Sequence, residues 1–367
     1  MMFNFGKANK NKFQSAANSE PSDADSVTKP AGGLLGNEQD NSLLKRILFA
    51  VIALVIFIYL IGIYWSVEPD VFNVKYQQAY KSEGPNRKLI VGYTTVATAE
   101  KVTKTLLDKN GGYLSNDVIP PSIFLDNIPA WEFGVLVQIR DLVSVLRNDM
   151  SRSQSQSLEN ADLKQAEPLL NNDHSSWLVP RPEGVFSEAI DKLRSFREGL
   201  SDADKLDVQF YARADNLKTW LELVNKRLGG LSQRLSASVV EDRINTDLSG
   251  DSAATQSTNV YRQVLVKTPW LDIDDTFYEA RGACWALIHF LKAVEIDFEA
   301  VLDKKNAKAS LSQIIRELEA TQESVWSPYI LNGSGFGVMA NHSLVMANYI
   351  SRANAGLIDL KELLENG

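Results

Sequence analysis

The stretch Phe277-Tyr-Glu-Ala-Arg-Gly-Ala-Cys-Trp-Ala-Leu-Ile-His-Phe-Leu-Lys-Ala-Val-Glu-Ile-Asp-Phe-Glu-Ala-Val301 decides the fold. Its apolar residues recur at Phe277, Ala280, Cys284, Leu287, Leu291, Val294, Phe298 and Val301, at alternating spacings of three and four. That spacing sets them on one face of a helix, and the seven-residue repeat suits packing against another helix. An apolar stripe must be buried against a second apolar face. Five more stripes supply candidates: Leu136, Ile139, Val143, Leu146, Met150; Phe186, Ile190, Leu193, Phe196, Leu200; Leu217, Leu221, Val224, Leu228, Leu231, Leu235; Leu311, Ile315, Leu318, Val325, interrupted by Gln322; and Met346, Ile350, Ala353, Leu357, Leu360, Leu364. A shorter helix is expected from Thr95 to Leu107, ended by Gly111-Gly112. Pro180 and Pro182 precede the Phe186 helix, and Thr268-Pro269 the Phe277 helix. Pro120-Pro121 and Pro129 read as an extended connection, and Asn332-Gly-Ser-Gly-Phe-Gly337 as a loop. Asn259 to Lys267 alternates like a lone strand, and one short strand makes no sheet. The expected fold class is all-α, with a helical-bundle domain over 94–367 behind an extended linker at 66–93.

Outside these stripes, Ile47-Leu-Phe-Ala-Val-Ile-Ala-Leu-Val-Ile-Phe-Ile-Tyr-Leu-Ile-Gly-Ile-Tyr-Trp65 carries no charge. A bilayer core of ~30 Å is spanned by about 20 helical residues, and a helix satisfies its own backbone within hydrocarbon. The run is expected to be one uncleaved transmembrane helix, with the lipid bilayer as its partner. Forty-six residues precede it, which does not fit a cleaved signal peptide. Tyr59, Tyr64 and Trp65 sit toward its C-terminal end, where aromatic rings favour the lipid–water boundary. Lys45 and Arg46 flank one end, Glu68 and Asp70 the other. Basic residues stay cytoplasmic, so a disordered cytoplasmic tail is expected over 1–46 and a periplasmic domain after Trp65.

The net charge of −8 is uneven. The first 46 residues hold six basic and five acidic residues, and everything after them carries −9. An acidic domain repels phosphate backbones, which excludes nucleic acid as the expected partner. Cys284, the single cysteine, rules out an internal disulfide and a cysteine-based zinc site. It falls on an apolar stripe and reads as a buried, inert thiol.

The densest acidic site is Asp272-Ile-Asp274-Asp275-Thr276. Its spelling matches Asp-x-Asp-x-Thr of phosphatases with an aspartyl nucleophile, which need a preceding strand and an α/β sheet. It also matches Asp-x-Asp-Asp of class II terpene cyclases, which need a deep helical cavity. The structural alternative, which the residues favour, is a helix start, where Asp residues cap N–H groups and meet the positive dipole end. Asp272, Asp274 and Asp275 are the weak catalytic candidates. His174, His289 and His342 lie in no metal-ligand spacing, and no metal or cofactor is expected. His289 falls off the stripe and reads as solvent-facing or lightly packed. Gly333, Gly335 and Gly337 lack the strand and Lys-Ser/Thr of a phosphate loop. Ser151-Arg-Ser-Gln-Ser-Gln-Ser157 reads as a solvated helix end. The tryptophans at 131, 177, 220, 270, 285 and 326 read as core or loop anchors.

Several phrases together carry a resemblance: Leu-Leu-Asp-Lys-Asn-Gly-Gly-Tyr-Leu-Ser-Asn-Asp at 106–117, Trp131-Glu-Phe-Gly-Val-Leu-Val-Gln-Ile-Arg140, the Ser151–Ser157 run, Phe210-Tyr-Ala-Arg-Ala-Asp215, Leu231-Ser-Gln-Arg-Leu-Ser-Ala-Ser238 and Phe277-Tyr-Glu-Ala-Arg-Gly282. The chain resembles, over most of 65–365, a proteobacterial family of single-pass inner-membrane proteins of unknown function. The resemblance implies a bacterial inner-membrane location and no assigned site. The expected function is a non-enzymatic, membrane-tethered envelope protein that scaffolds or regulates another component, with a homo-oligomer compatible. The alternatives are a membrane-anchored hydrolase or cyclase-like enzyme using the acidic cluster, and a ligand-sensing helical domain.

Overall fold

The quoted stretch forms α7, Ile273–Asp297, and a single stripe understates how enclosed it is. From Ala280 to Leu291 every residue is buried, as in a helix surrounded on all sides. Its chief partner is α3, Asn127–Val145. One set of neighbours comprises α2 (Tyr93–Asp108), α4 (Ala161–Leu170) and α5 (Pro182–Ser201). The other comprises α6 (Ala214–Ser236), α9 (Lys308–Ala320) and α10 (His342–Asn366), with the short α8 (Glu299–Lys304) continuing α7 past Phe298. The fold class is all-α. This computed structural model describes residues 38–81, 89–154, 157–202, 204–205, 208–239, 241–244, 263–327 and 329–366. The chain divides into two units, Met1–Ala53 and Leu54–Gly367.

The apolar run lies in α1, Glu38–Trp65, whose segment Ser42–Trp65 is long and apolar enough to cross a membrane. α1 starts ahead of the run, so 38–46 are helical rather than disordered. That lead-in mixes good helix formers (Glu38, Gln39, Leu43, Leu44, Lys45, Arg46) with poorer ones (Asp40, Asn41, Ser42), and it holds no Gly or Pro to break the helix. The remainder of the expected tail, 1–37, lies outside the described residues.

The stretch expected as a linker, 66–93, is docked where it is described. Phe72 packs edge-on to Trp285 and Val74 is buried. Glu68 meets Arg281 at 2.6 Å, and Arg281 also donates to the carbonyls of Thr321, Gln322 and Glu323 just beyond α9. A cation there also suits the negative end of that helix.

Four readings change. Pro129 stands in the first turn of α3, where its missing N–H has no helical partner to lose. α4 was not expected; it is short, contains Pro168, and is capped by Asn160, which accepts from the N–H groups of Asp162 and Leu163. The stripe through Met150 ends in a π-turn, Leu146–Met150, after which Ser153 and Ser157 share a hydroxyl hydrogen bond. The alternating run contributes β2 (Gln263–Val266), which pairs antiparallel with β1 (Glu241–Ile244), Glu241 opposite Val266. Two strands of four residues leave the fold class unchanged.

Candidate functional site

Where α3 and α7 begin, a cleft of about 1010 Å³ opens. Asp126, Pro129, Ala130 and Phe133 form one wall; Asp272, Asp275, Thr276 and Glu279 form the facing one. Gly230, Gln233 and Arg234 of α6 also line it, as do His174, Asp117 and Lys267. Arg234 is committed to Glu279 through a two-pronged pair, at 2.7 and 2.5 Å.

The sequence candidates divide. Asp272 and Asp275 face this cleft, whereas Asp274 lines a separate crevice with Asp126, Trp270, Leu271 and Tyr329. Asp272 holds the N-cap position of α7, yet its carboxylate makes no capping bond; its carbonyl accepts from the Thr276 hydroxyl at 2.8 Å. Asp274 and Asp275 occupy the first turn, where the helix dipole favours negative charge. Burial pushes the Asp275 carboxyl up to about 6, reinforced by Asp126, then Asp274, Asp272 and Glu279. Burial likewise raises Asp274, with Asp126 and Asp272 adding to it. Among the described residues, no group of three His, Cys, Asp or Glu is arranged to hold a metal ion.

Sequence reasoning missed Glu279 and Asp126. Glu279 had a local signal, since Asp272, Asp275 and Glu279 follow spacings of three and four and share a helix face. Asp126 had none, because only the packing of α3 on α7 brings it there.

The histidines have other duties. His289 is fully buried, not solvent-facing. Its Nε2 accepts from the Phe72 N–H at 3.0 Å, so Nδ1 carries the proton and donates to the Trp285 carbonyl at 2.7 Å. Burial pushes it down to about 3, and the neutral ring stacks on Phe72. It therefore pins the 66–72 segment to α7. His174 tilts against Phe133 and is lowered by burial. Cys284 is a buried thiol pushed up to about 12 by desolvation. Trp131, Trp220 and Trp285 are core residues; Trp177, Trp270 and Trp326 are exposed.

Fold and cleft define a helical-domain protein led by a helix long and apolar enough to cross a membrane. The family model DUF2333, described as an uncharacterized protein conserved in bacteria, matches residues 38–367, and the chain belongs to that family. No curated protein and no solved structure matches it.

Proposed function

We propose that this chain is a single-pass protein of the bacterial inner membrane whose helical domain acts as a non-enzymatic scaffold, taking a basic segment of another envelope protein into the acidic cleft. The carrying observation is the convergence of Asp117, Asp126, Asp272, Asp275 and Glu279 on one cavity, against two cations, Lys267 and the Arg234 that pairs with Glu279. Like charges gathered in a partly buried site raise one another's pKa, and a cation entering it relieves that repulsion. The enzyme reading uses Asp272, Asp274 and Asp275 together. Asp274 lines a different cavity from Asp272 and Asp275, so the three carboxylates do not meet at one point.

The full chain in detergent micelles is expected to bind an oligolysine peptide and to ignore an oligoglutamate one, followed by fluorescence anisotropy. Asp272→Asn with Asp275→Asn is expected to weaken binding about tenfold, and added salt to weaken it further. Asp275 is charged above its pKa of about 6, so affinity falls as pH drops from neutral through that value. Equal binding by wild type and variant would remove the cleft from this role.

Orientation follows from Lys45 and Arg46 before the span. Lys45 and Arg46 directly adjoin the span, whereas Lys75 and Lys81 on its other side stand further from it. A reporter active only in the periplasm, fused after Gly367, is expected to be active; a silent fusion reverses the topology.

A further inference from the structure

The last turns of α1 present Ile58, Ile61, Gly62 and Trp65 as the residues withdrawn from solvent, a stripe spaced by three and four. A Cβ placed on Gly62 lies 3.5 Å from Pro121 and 3.7 Å from Leu125, and one on Gly111 lies 2.7 Å from the Trp65 ring. The loop through Pro121 and Leu125 is therefore held beside the helix, level with residues that belong to the apolar run itself. What that loop shows to solvent is apolar. Ile119 and Ile123 are exposed, and Phe124 is 73% exposed. Immediately beyond it, Asp126 and Asn127 share a crevice with Trp270 and Leu271, also exposed at 76% and 73%, and with Tyr329. Ile119, Ile123 and Phe124 on the loop beside Gly62, and Trp270, Leu271 and Tyr329 at or beside the crevice that adjoins it, together supply an exposed apolar rim on this side of the domain.

We propose that this rim is a second membrane-contact site, which sinks into the outer interfacial layer of the same bilayer that α1 spans. The inference rests on the reading of α1 as a transmembrane helix. If α1 crosses through Trp65, a loop packed against Gly62 lies about one helical turn short of its end and is carried to the depth where headgroups meet acyl chains. Aromatic and aliphatic side chains together are what such a layer accepts. Asp126, Asp272, Asp274 and Asp275 lie close by, so attraction to anionic lipid does not hold the rim down; apolar insertion does. Membrane contact is therefore expected to be insensitive to salt, unlike peptide binding in the cleft. Ile123 and Leu125 also line the cleft, which places its mouth at the membrane surface and confines a captured segment to the membrane's edge.

The test uses the full chain in phosphatidylcholine vesicles, with single added cysteines carrying a polarity-sensitive fluorophore. The native Cys284 is buried and does not compete for label. Spin-labelled lipids quench according to depth. Val55→Cys reports the span and Phe124→Cys the rim. Leu158→Cys, at an exposed site beyond the far end of α3, is the control. Deep quenching at Val55, with shallow quenching at Phe124 about twofold or more above Leu158 and unchanged by salt, is the expected pattern. Quenching at Val55 with Phe124 no different from Leu158 overturns the rim and leaves the span intact. No deep quenching at Val55 overturns the span, and the rim with it. Leu271→Cys repeats the rim measurement should Phe124→Cys fail to fold.

Discussion

Replacing Glu132 with alanine is expected to cost the helical domain about 3–5 kcal/mol, the usual loss when one partner of a buried ion pair is removed. Glu132 of α3 has no exposed surface, and the Lys109 ammonium it meets at 2.7 Å is nearly as dry. The carboxylate also accepts from the N–H groups of Leu114 and Ser115, at 2.9 and 2.8 Å, and from the Ser115 hydroxyl. It thereby organises the turn after α2, where Lys109 also donates to the Gly112 carbonyl at 2.7 Å. Alanine strands a buried ammonium and two backbone N–H groups at once. Glutamine keeps the shape but turns one acceptor into a donor, so a smaller loss is expected. Lys109→Met with Glu132→Ala is expected to recover part of the deficit, because no charge then stays in the dry site. Guanidinium unfolding of the full chain in micelles, followed by tryptophan fluorescence, measures all three. A Glu132→Ala midpoint equal to wild type would show that the pair contributes nothing.

Glu132 also shows where sequence reading stops. The helices were legible because stripes at Leu217–Leu235 or Met346–Leu364 repeat over several turns with polar residues opposite. α7 was legible as a helix but not as the enclosed centre. His289 lies off the stripe, a position that faces solvent only on a helix with a wet side, and α7 around it has none. α4 escaped because it is short and interrupted by Pro168. Asp272 and Asp275 stood out as a local cluster, and Glu279 was recoverable from helical spacing. Asp126 and the Glu132–Lys109 pair depend on contacts between segments with no common period. The exposed loop around Phe124 carried apolar residues without a pattern. Its position beside Gly62 is a contact between distant segments, which no local spacing records.

The second large effect concerns two glycines that no stripe marks. A Cβ added at Gly134 would sit 2.0 Å from the Glu279 carbonyl oxygen and 2.9 Å from the Ala283 nitrogen. One added at Gly282 would sit 2.1 Å from the Trp131 carbonyl oxygen. Every obstructing atom is backbone, so no side chain can turn aside and α3 and α7 must separate. Gly134→Ala and Gly282→Ala are each expected to cost about 3 kcal/mol, the upper end of ordinary overpacking. Helix propensity alone predicts the opposite sign, a gain of up to about 1 kcal/mol for Gly to Ala. Gly230 in α6 supplies the comparison, since an added Cβ there meets nothing within 4 Å, and Gly230→Ala is expected to stabilise. If Gly134→Ala and Gly230→Ala shifted the unfolding midpoint alike, the close crossing would be wrong. The consequence reaches the cleft, because α3 and α7 carry its facing carboxylates. Gly134→Ala is therefore expected to weaken oligolysine binding even at temperatures where it remains folded. Unchanged binding in the folded variant would mean that contacts other than this crossing hold the two walls in place.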